Sequence, residues 1–319
     1  MRSYNNGRKT IMDIRSPKAI IGANSWGSAA YGKLLRGSSV DEATIRKAMD
    51  TAKEKDLLIF DLAQDYGLGK AQKMIGRFGT DDIIISAKFT PGKKYVPGQV
   101  RKSLERDLSE FRRDHVDIYW LHLPTDIDKN LWEIIALYNE GKIHHIGVSN
   151  FDLAECKKAK AILDKAKIPL YGVQNHYSLI CREWEQNGVV AWCRENGVLF
   201  WAWAVLEEGI LTDPRVKTKG SIMKLIFSGK RKKLRPLHAA MNRVGKRHNI
   251  TIPQVAEAYC ANKGIVPMCG CRKPYQVEQL YEAVNTKLSP REMWFLETVA
   301  DKVNVRILGA DVFRFAVKK

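Results

Sequence analysis

The sequence predicts an α/β fold, a (β/α)8 TIM barrel with a long loop after the seventh strand. Three observations carry that expectation. The chain has 319 residues, somewhat above the ~250 typical of such barrels. Short apolar, β-branched runs alternate with amphipathic segments, as in a parallel sheet with right-handed helical crossovers. No G-x-G-x-x-G follows a strand candidate, which argues against the doubly wound sheet of a Rossmann unit.

The strand candidates are Ala19–Ala23, Leu57–Asp61, Ile83–Ala87, Val116–Leu121, His145–Val148, Leu170–Gln174, Val198–Ala202 and Ile265–Met268. Helical patterns between them include 40–56, 96–114, 153–167 and 181–196. Asp152 stands where it would cap the helix opening near Leu153. Asn196-Gly197 would stop the next one before a strand. The exception is 207–236, expected as a long loop and therefore functional or mobile. No linker or low-complexity tract divides the chain, so 1–319 reads as a single domain.

Composition narrows the classes. The hydrophobic fraction is 45%, enough for a sizeable core. No window holds the ~20 apolar residues of a membrane span, and the polar, basic start lacks a signal h-region. The six cysteines are scattered, so a reducing, cytoplasmic compartment is expected. Cys269 and Cys271 lack a matching second pair at zinc spacing and read as core or loop thiols. The net charge is +18, and Pro214–Ala256 holds twelve Lys/Arg with no Asp or Glu. A basic loop near a phosphate-bearing ligand or on the surface is expected there. Aromatic interleaving in "SGKRKKLRP" (228–236) is thin, with only Phe227 close, so a nucleic-acid partner is not expected.

Barrel active sites lie at the C-terminal strand ends. Strand two ends on Asp61, with Tyr66 in the next loop; strand three ends near Lys88; strand four near His122. A phenol has a reference pKa of ~10, too high for an efficient acid near neutrality. A neighbouring ammonium favours phenolate, and a carboxylate anchors the ammonium. Asp61, Lys88 and Tyr66 would form a tuned proton donor, with His122 bonding a carbonyl oxygen. Each residue alone has an ordinary structural explanation; their placement at successive strand ends favours chemistry. An aldolase using Lys88 as a Schiff base is disfavoured on the expectation that Asp61 raises its pKa.

With those residues in view, the chain resembles the aldo-keto reductase superfamily. "FDLAQDYG", "SAKF", "DIYWLH", "GKIHHIGVSNF" and "VQNHYSL" carry the resemblance, which runs from "IIGANSWG" to "GCRKPYQVEQ". It implies a barrel that binds NADP(H) and reduces carbonyls, with Asp61, Tyr66, Lys88 and His122 as the tetrad. It also implies that Ser149, Asn150 and Gln174 hold the nicotinamide carboxamide and that Trp203 stacks on the ring. Gly270, Arg272, Gln276 and Gln279 fall where the family holds the adenosine end. There Arg272 would grip a 2′-phosphate. Trp26 and Trp120 are candidate walls of an apolar substrate pocket.

Several positions depart from the family pattern. His176 replaces a Glu, Ala204-Val205 a Ser-Pro, Gln279-Leu280 a Glu-Asn, and Leu62 a Thr. Weaker or altered cofactor binding with retained chemistry is the expectation. The alternative is a non-catalytic NADP-binding barrel with a regulatory or redox-sensing role.

Overall fold

The computed structural model describes residues 14–28, 39–215, 224–225 and 227–306. Eight parallel strands close a barrel in sequence order. They are β1 (Ile20–Gly22), β2 (Ile59–Asp61), β3 (Ile84–Phe89), β4 (Val116–Leu121), β5 (Ile143–Ser149), β6 (Leu170–His176), β7 (Leu199–Trp203) and β8 (Val266–Gly270). The ring closes where Ile20 pairs with Met268 and Gly22 with Gly270. Each strand candidate corresponds to one of these, with its ends shifted by a few residues. The ladder ignores side-chain polarity, so it runs beyond the apolar run to take in Lys88, Ser149, His176 and Gly270.

Helices Glu42–Glu54, Gln99–Phe111 and Leu153–Lys165 fill three of the predicted patterns. Asp152 caps the last of these: Glu155 N donates to Asp152 Oδ1 at 2.9 Å, and Asp152 N donates to Glu155 Oε2 at 2.7 Å. This reciprocal pair satisfies two otherwise orphaned donors. The fourth pattern, 181–196, does not form one helix. It splits into Glu183–Gln186 and Val189–Glu195, because Gly188 sits at φ +87°, a conformation that interrupts a helix.

The segment 207–236 is not all loop. Glu207–Gly209 makes a 3-10 turn. Lys230–Lys233 forms a short helix leading into Arg235–His248, so this part of the basic run is helical. Residues 216–223 and 226 of the segment lie outside the described residues. No helix among the described residues is long and apolar enough to cross a membrane.

Strand alternation sorts the side chains into two cores. Ile21, Phe60, Ile85, Ala87, Tyr119, Leu121 and Val148 face outward in the large cluster between sheet and helices. Ile20, Ile59, Ile84, Ile118, Trp120, Trp201, Val266 and Met268 fill the barrel interior. Side chains alternate with period 2. Asp61, Ser86, Lys88, Ser149, Gln174, His176, Trp203 and Gly270 therefore share the inward face with those apolar residues, one or more layers nearer the C-terminal rim. Trp120 dictates glycine at Gly147 on β5 and packs tightly on Gly172 of β6. A Cβ at Gly147 would lie 2.4 Å from its ring, and one at Gly172 3.2 Å.

Candidate active site

Asp61 is fully buried at the end of β2, and Lys88 reaches it from β3 at 1% exposure. The Lys88 ammonium donates to Asp61 Oδ2, to the Leu62 carbonyl at 3.2 Å and to the Tyr66 hydroxyl oxygen at 3.3 Å. Three acceptors match its three protons. The other carboxylate oxygen of Asp61 accepts from Ser86 Oγ at 2.9 Å and Gln174 Nε2 at 3.0 Å. Tyr66 Oη lies 3.5 Å from Asp61 Oδ2. Tyr66, unlike the pair beneath it, is only partly buried. The phenol therefore stands between a buried ion pair and the barrel mouth.

Burial lowers the pKa of Lys88 from its ordinary value, and Asp61 offsets this only in part. Asp61 does raise it, as expected from the sequence, but burial outweighs the carboxylate. The Schiff-base alternative fails for a different reason: the amine is enclosed and engaged with three acceptors.

His122 follows β4 and pairs through Nδ1 with Thr90 Oγ1 at 2.7 Å. Burial, then the Lys88 charge, pulls its pKa down to about 3. The ring is therefore neutral near pH 7, with one N–H left to donate. Asn150 has φ +63°, which turns its amide back over the site. Its Nδ2 donates to the His122 carbonyl at 3.0 Å and to Ser149 Oγ at 3.1 Å. Ser149 Oγ donates to the Gln174 carbonyl at 2.8 Å. Ser149, Asn150 and Gln174 thus form one polar cluster beside Asp61.

Trp203, at the end of β7, lies flat on His176, with ring centroids 4.6 Å apart and planes 20° from parallel. At the end of β8, Gly270 is exposed, and a Cβ there would find no atom nearer than 3.9 Å. Helix Pro274–Asn285 opens directly after Arg272 and Lys273. Gln276 Oε1 accepts the backbone N–H of Arg272 at 2.9 Å and that of Lys273 at 3.1 Å, so Gln276 shapes this turn. Gln279 offers its carbonyl to Gln254 at 3.1 Å. Leu280 is fully buried, as is Leu62; both departures serve packing.

Both predicted substrate contacts are buried. Trp120 is 0% exposed, a layer below the site, and its indole N–H donates to Ser86 Oγ at 2.8 Å. It supports Asp61 through Ser86. Trp26 is also 0% exposed, with its indole N–H on the Cys271 carbonyl at 2.9 Å. Cys269 and Cys271 are buried free thiols.

Sequence reasoning missed Ser86, Thr90 and Glu207. Ser86 was recoverable, since it lies two residues before Lys88 and so shares its face. Glu207 was not. It is 1% exposed and bonds His176 Nε2 at 2.9 Å, and the turn that buries it carries positive φ at Ala204, Glu207 and Glu208.

A parallel barrel with Asp61, Tyr66, Lys88 and His122 gathered at its C-terminal rim defines the class, and comparison with known proteins agrees. The model of the Aldo/keto reductase family matches residues 18–301. The chain belongs to that family. It is similar to the chloroplastic pyridoxal reductase of Arabidopsis thaliana, 27% identical over 300 residues, covering 86% of this chain and 82% of the relative. Among solved structures it is similar to a thermostable aldo-keto reductase bound to the inhibitor epalrestat, with TM-score 0.71, 23% identity, and 89% and 95% of the two chains covered. It is also similar to a Klebsiella pneumoniae aldo/keto reductase in complex with NADP and acetate, with TM-score 0.67, 20% identity, and 88% and 90% covered.

Proposed function

We propose that the protein reduces aldehyde or ketone carbonyls to alcohols with NADPH, using Tyr66 as the proton donor. The observation that carries this is the Tyr66 hydroxyl 3.3 Å from Lys88 Nζ, which is itself locked on buried Asp61. An ammonium beside a phenol favours the phenolate, so loss of the Tyr66 proton to a developing alkoxide is stabilised. In the oxidative direction the same group takes the proton back. His122, kept neutral, donates to the carbonyl oxygen and polarises it.

The residues present fit a dinucleotide phosphate. Arg272 and Lys273 stand at a helix N-terminus, where backbone N–H groups and cations favour a phosphate. Gly270 leaves the strand end open for backbone approach. These features favour NADP over NAD, with Gln276 holding the turn and Gln279 beside it. Ser149, Asn150 and Gln174 would hold the carboxamide, and Trp203 would stack on the nicotinamide. When bound, the cofactor supplies the hydride. One barrel domain spanning 1–319 is consistent with the family match over 18–301. The free thiols favour a reducing, cytoplasmic compartment.

NADPH consumption across aromatic and aliphatic aldehydes and ketones, with NADH as control, tests the proposal. Turnover with NADPH well above NADH is expected. Tight NADPH binding with no turnover on any carbonyl would overturn it in favour of a regulatory barrel.

A further inference from the structure

A second buried polar cluster lies on the opposite side of the barrel mouth from Lys88. His176 Nε2 faces Glu207 Oε1 at 2.9 Å, and Nδ1 of the same ring faces Cys181 Sγ at 3.5 Å. Ser178 Oγ donates to the same Glu207 oxygen. Ser178 and Cys181 also exchange backbone hydrogen bonds of 3.1 and 3.2 Å, which pins the thiol beside the ring. Thiol, imidazole and carboxylate thus form one compact cluster joined by hydrogen bonds.

The order of the three groups decides what they can do. Cys181 and Glu207 address opposite nitrogens of one ring. Cys–His pairing with a carboxylate on the imidazole is one way proteins hold a nucleophilic sulfur. Burial lowers the proton affinity of His176, but Glu207 and Cys181 outweigh it and hold the ring at about 10. An imidazolium therefore faces the sulfur near pH 7.

Access separates Cys181 from the other thiols. Cys156, Cys193, Cys260, Cys269 and Cys271 are buried, and Cys181 is only partly so. It lines a surface pocket of about 180 Å³ together with Arg182, Gln186, Asp301 and Arg306.

We propose that Cys181 is a nucleophilic thiol, held ready by His176 and Glu207, and the site at which hydroperoxides and small carbon electrophiles modify this protein. With a hydroperoxide, the sulfur attacks one oxygen, the O–O bond breaks, and sulfur is oxidised by two electrons to sulfenic acid. The departing oxygen takes a proton from His176 Nδ1 and leaves as water or an alcohol. The His176 ring underlies Trp203, so the modification falls behind the shelf assigned to the nicotinamide.

The test needs no turnover and so stands or falls apart from the reductase proposal. The full-length protein is treated with iodoacetamide at pH 7, and each cysteine is followed by peptide mass spectrometry, natively and in urea. Cys181 should react about tenfold or more faster in the native chain than in urea, whereas the five buried thiols should be slowed by folding. His176→Ala, and separately Glu207→Gln, should slow native Cys181 labelling by about tenfold. Hydrogen peroxide followed by a sulfenic-acid trap should mark the Cys181 peptide, and Cys181→Ser should abolish the mark. Native labelling of Cys181 no faster than in urea would overturn the proposal. So would labelling unchanged by either variant, if folded, or a sulfenic-acid mark on another cysteine.

Discussion

His122 and His176 stand at strand ends on the same rim, both nearly buried, and burial alone pushes both toward the neutral form. At His122 the Lys88 charge adds to that push, and the ring is held down at about 3. At His176 the Glu207 carboxylate, together with Cys181, opposes it and wins, and the ring is held up at about 10. The same residue type at similar depth thus ends in opposite protonation states near pH 7. The partner decides, and the partner arrives by different routes. Lys88 is fixed by strand register, whereas Glu207 is delivered by a strained turn. One half of the mouth is built to offer a neutral donor beside a caged cation, and the other to hold a cation against a thiol.

Breaking the first half should have the largest effect. Lys88→Met leaves Asp61 as a buried charge without its cation, which costs about 3–5 kcal/mol. It also removes the cation beside the Tyr66 hydroxyl, so on the proposed mechanism kcat should fall by about a thousandfold. Urea denaturation and steady-state kinetics would measure the two losses. Breaking the second half should act on stability. Glu207→Gln should cost about 3 kcal/mol at pH 7, since it strips a buried imidazolium of its partner.

The pH dependence of stability sharpens the contrast. The folded pKa of His176 is raised, so its contribution is present below ~6.5 and lost as pH climbs toward 10. The folded pKa of His122 is lowered, so its contribution is present above ~6.5 and lost as pH falls toward 3. Urea titrations across pH should show both flanks. Glu207→Gln should flatten the alkaline flank and leave the acidic one unchanged.

The two halves also differ in how much of them the sequence reveals. Asp61, Lys88 and His122 each end or follow an apolar run, and period-2 alternation in a closed barrel puts them on one face. Nothing beyond strand order and parity is needed. His176 shows at the same level, as a departure from a family pattern. Its role does not, because Glu207 is four residues beyond β7 and turns inward only through three positive-φ residues. Backbone strain of that kind has no residue signature when glycine is not used. Trp120 differs again: it has the parity of the site residues but lies one layer deeper, and depth depends on the register between neighbouring strands. The helix pattern 181–196 fails at Gly188, where one glycine outweighs a continuous amphipathic run.

The smallest expected effect concerns the basic run. Replacing Lys230, Arg231, Lys232 and Lys233 with glutamine should slow NADPH association by about a few-fold at low salt and not at high salt, because exposed charges act through a screened field. Stopped-flow nucleotide fluorescence would read it. An unchanged rate at low salt would leave that run without a part in cofactor capture.

The most direct test of the central claim is Tyr66→Phe, assayed for NADPH affinity and turnover on the same preparation. The predicted result is nucleotide affinity within about twofold of wild type and carbonyl reduction down by about a hundredfold to ten-thousandfold, the range for loss of a positioned proton donor. Turnover that survives the substitution would contradict Tyr66 as the acid and return the proton to another group at the mouth.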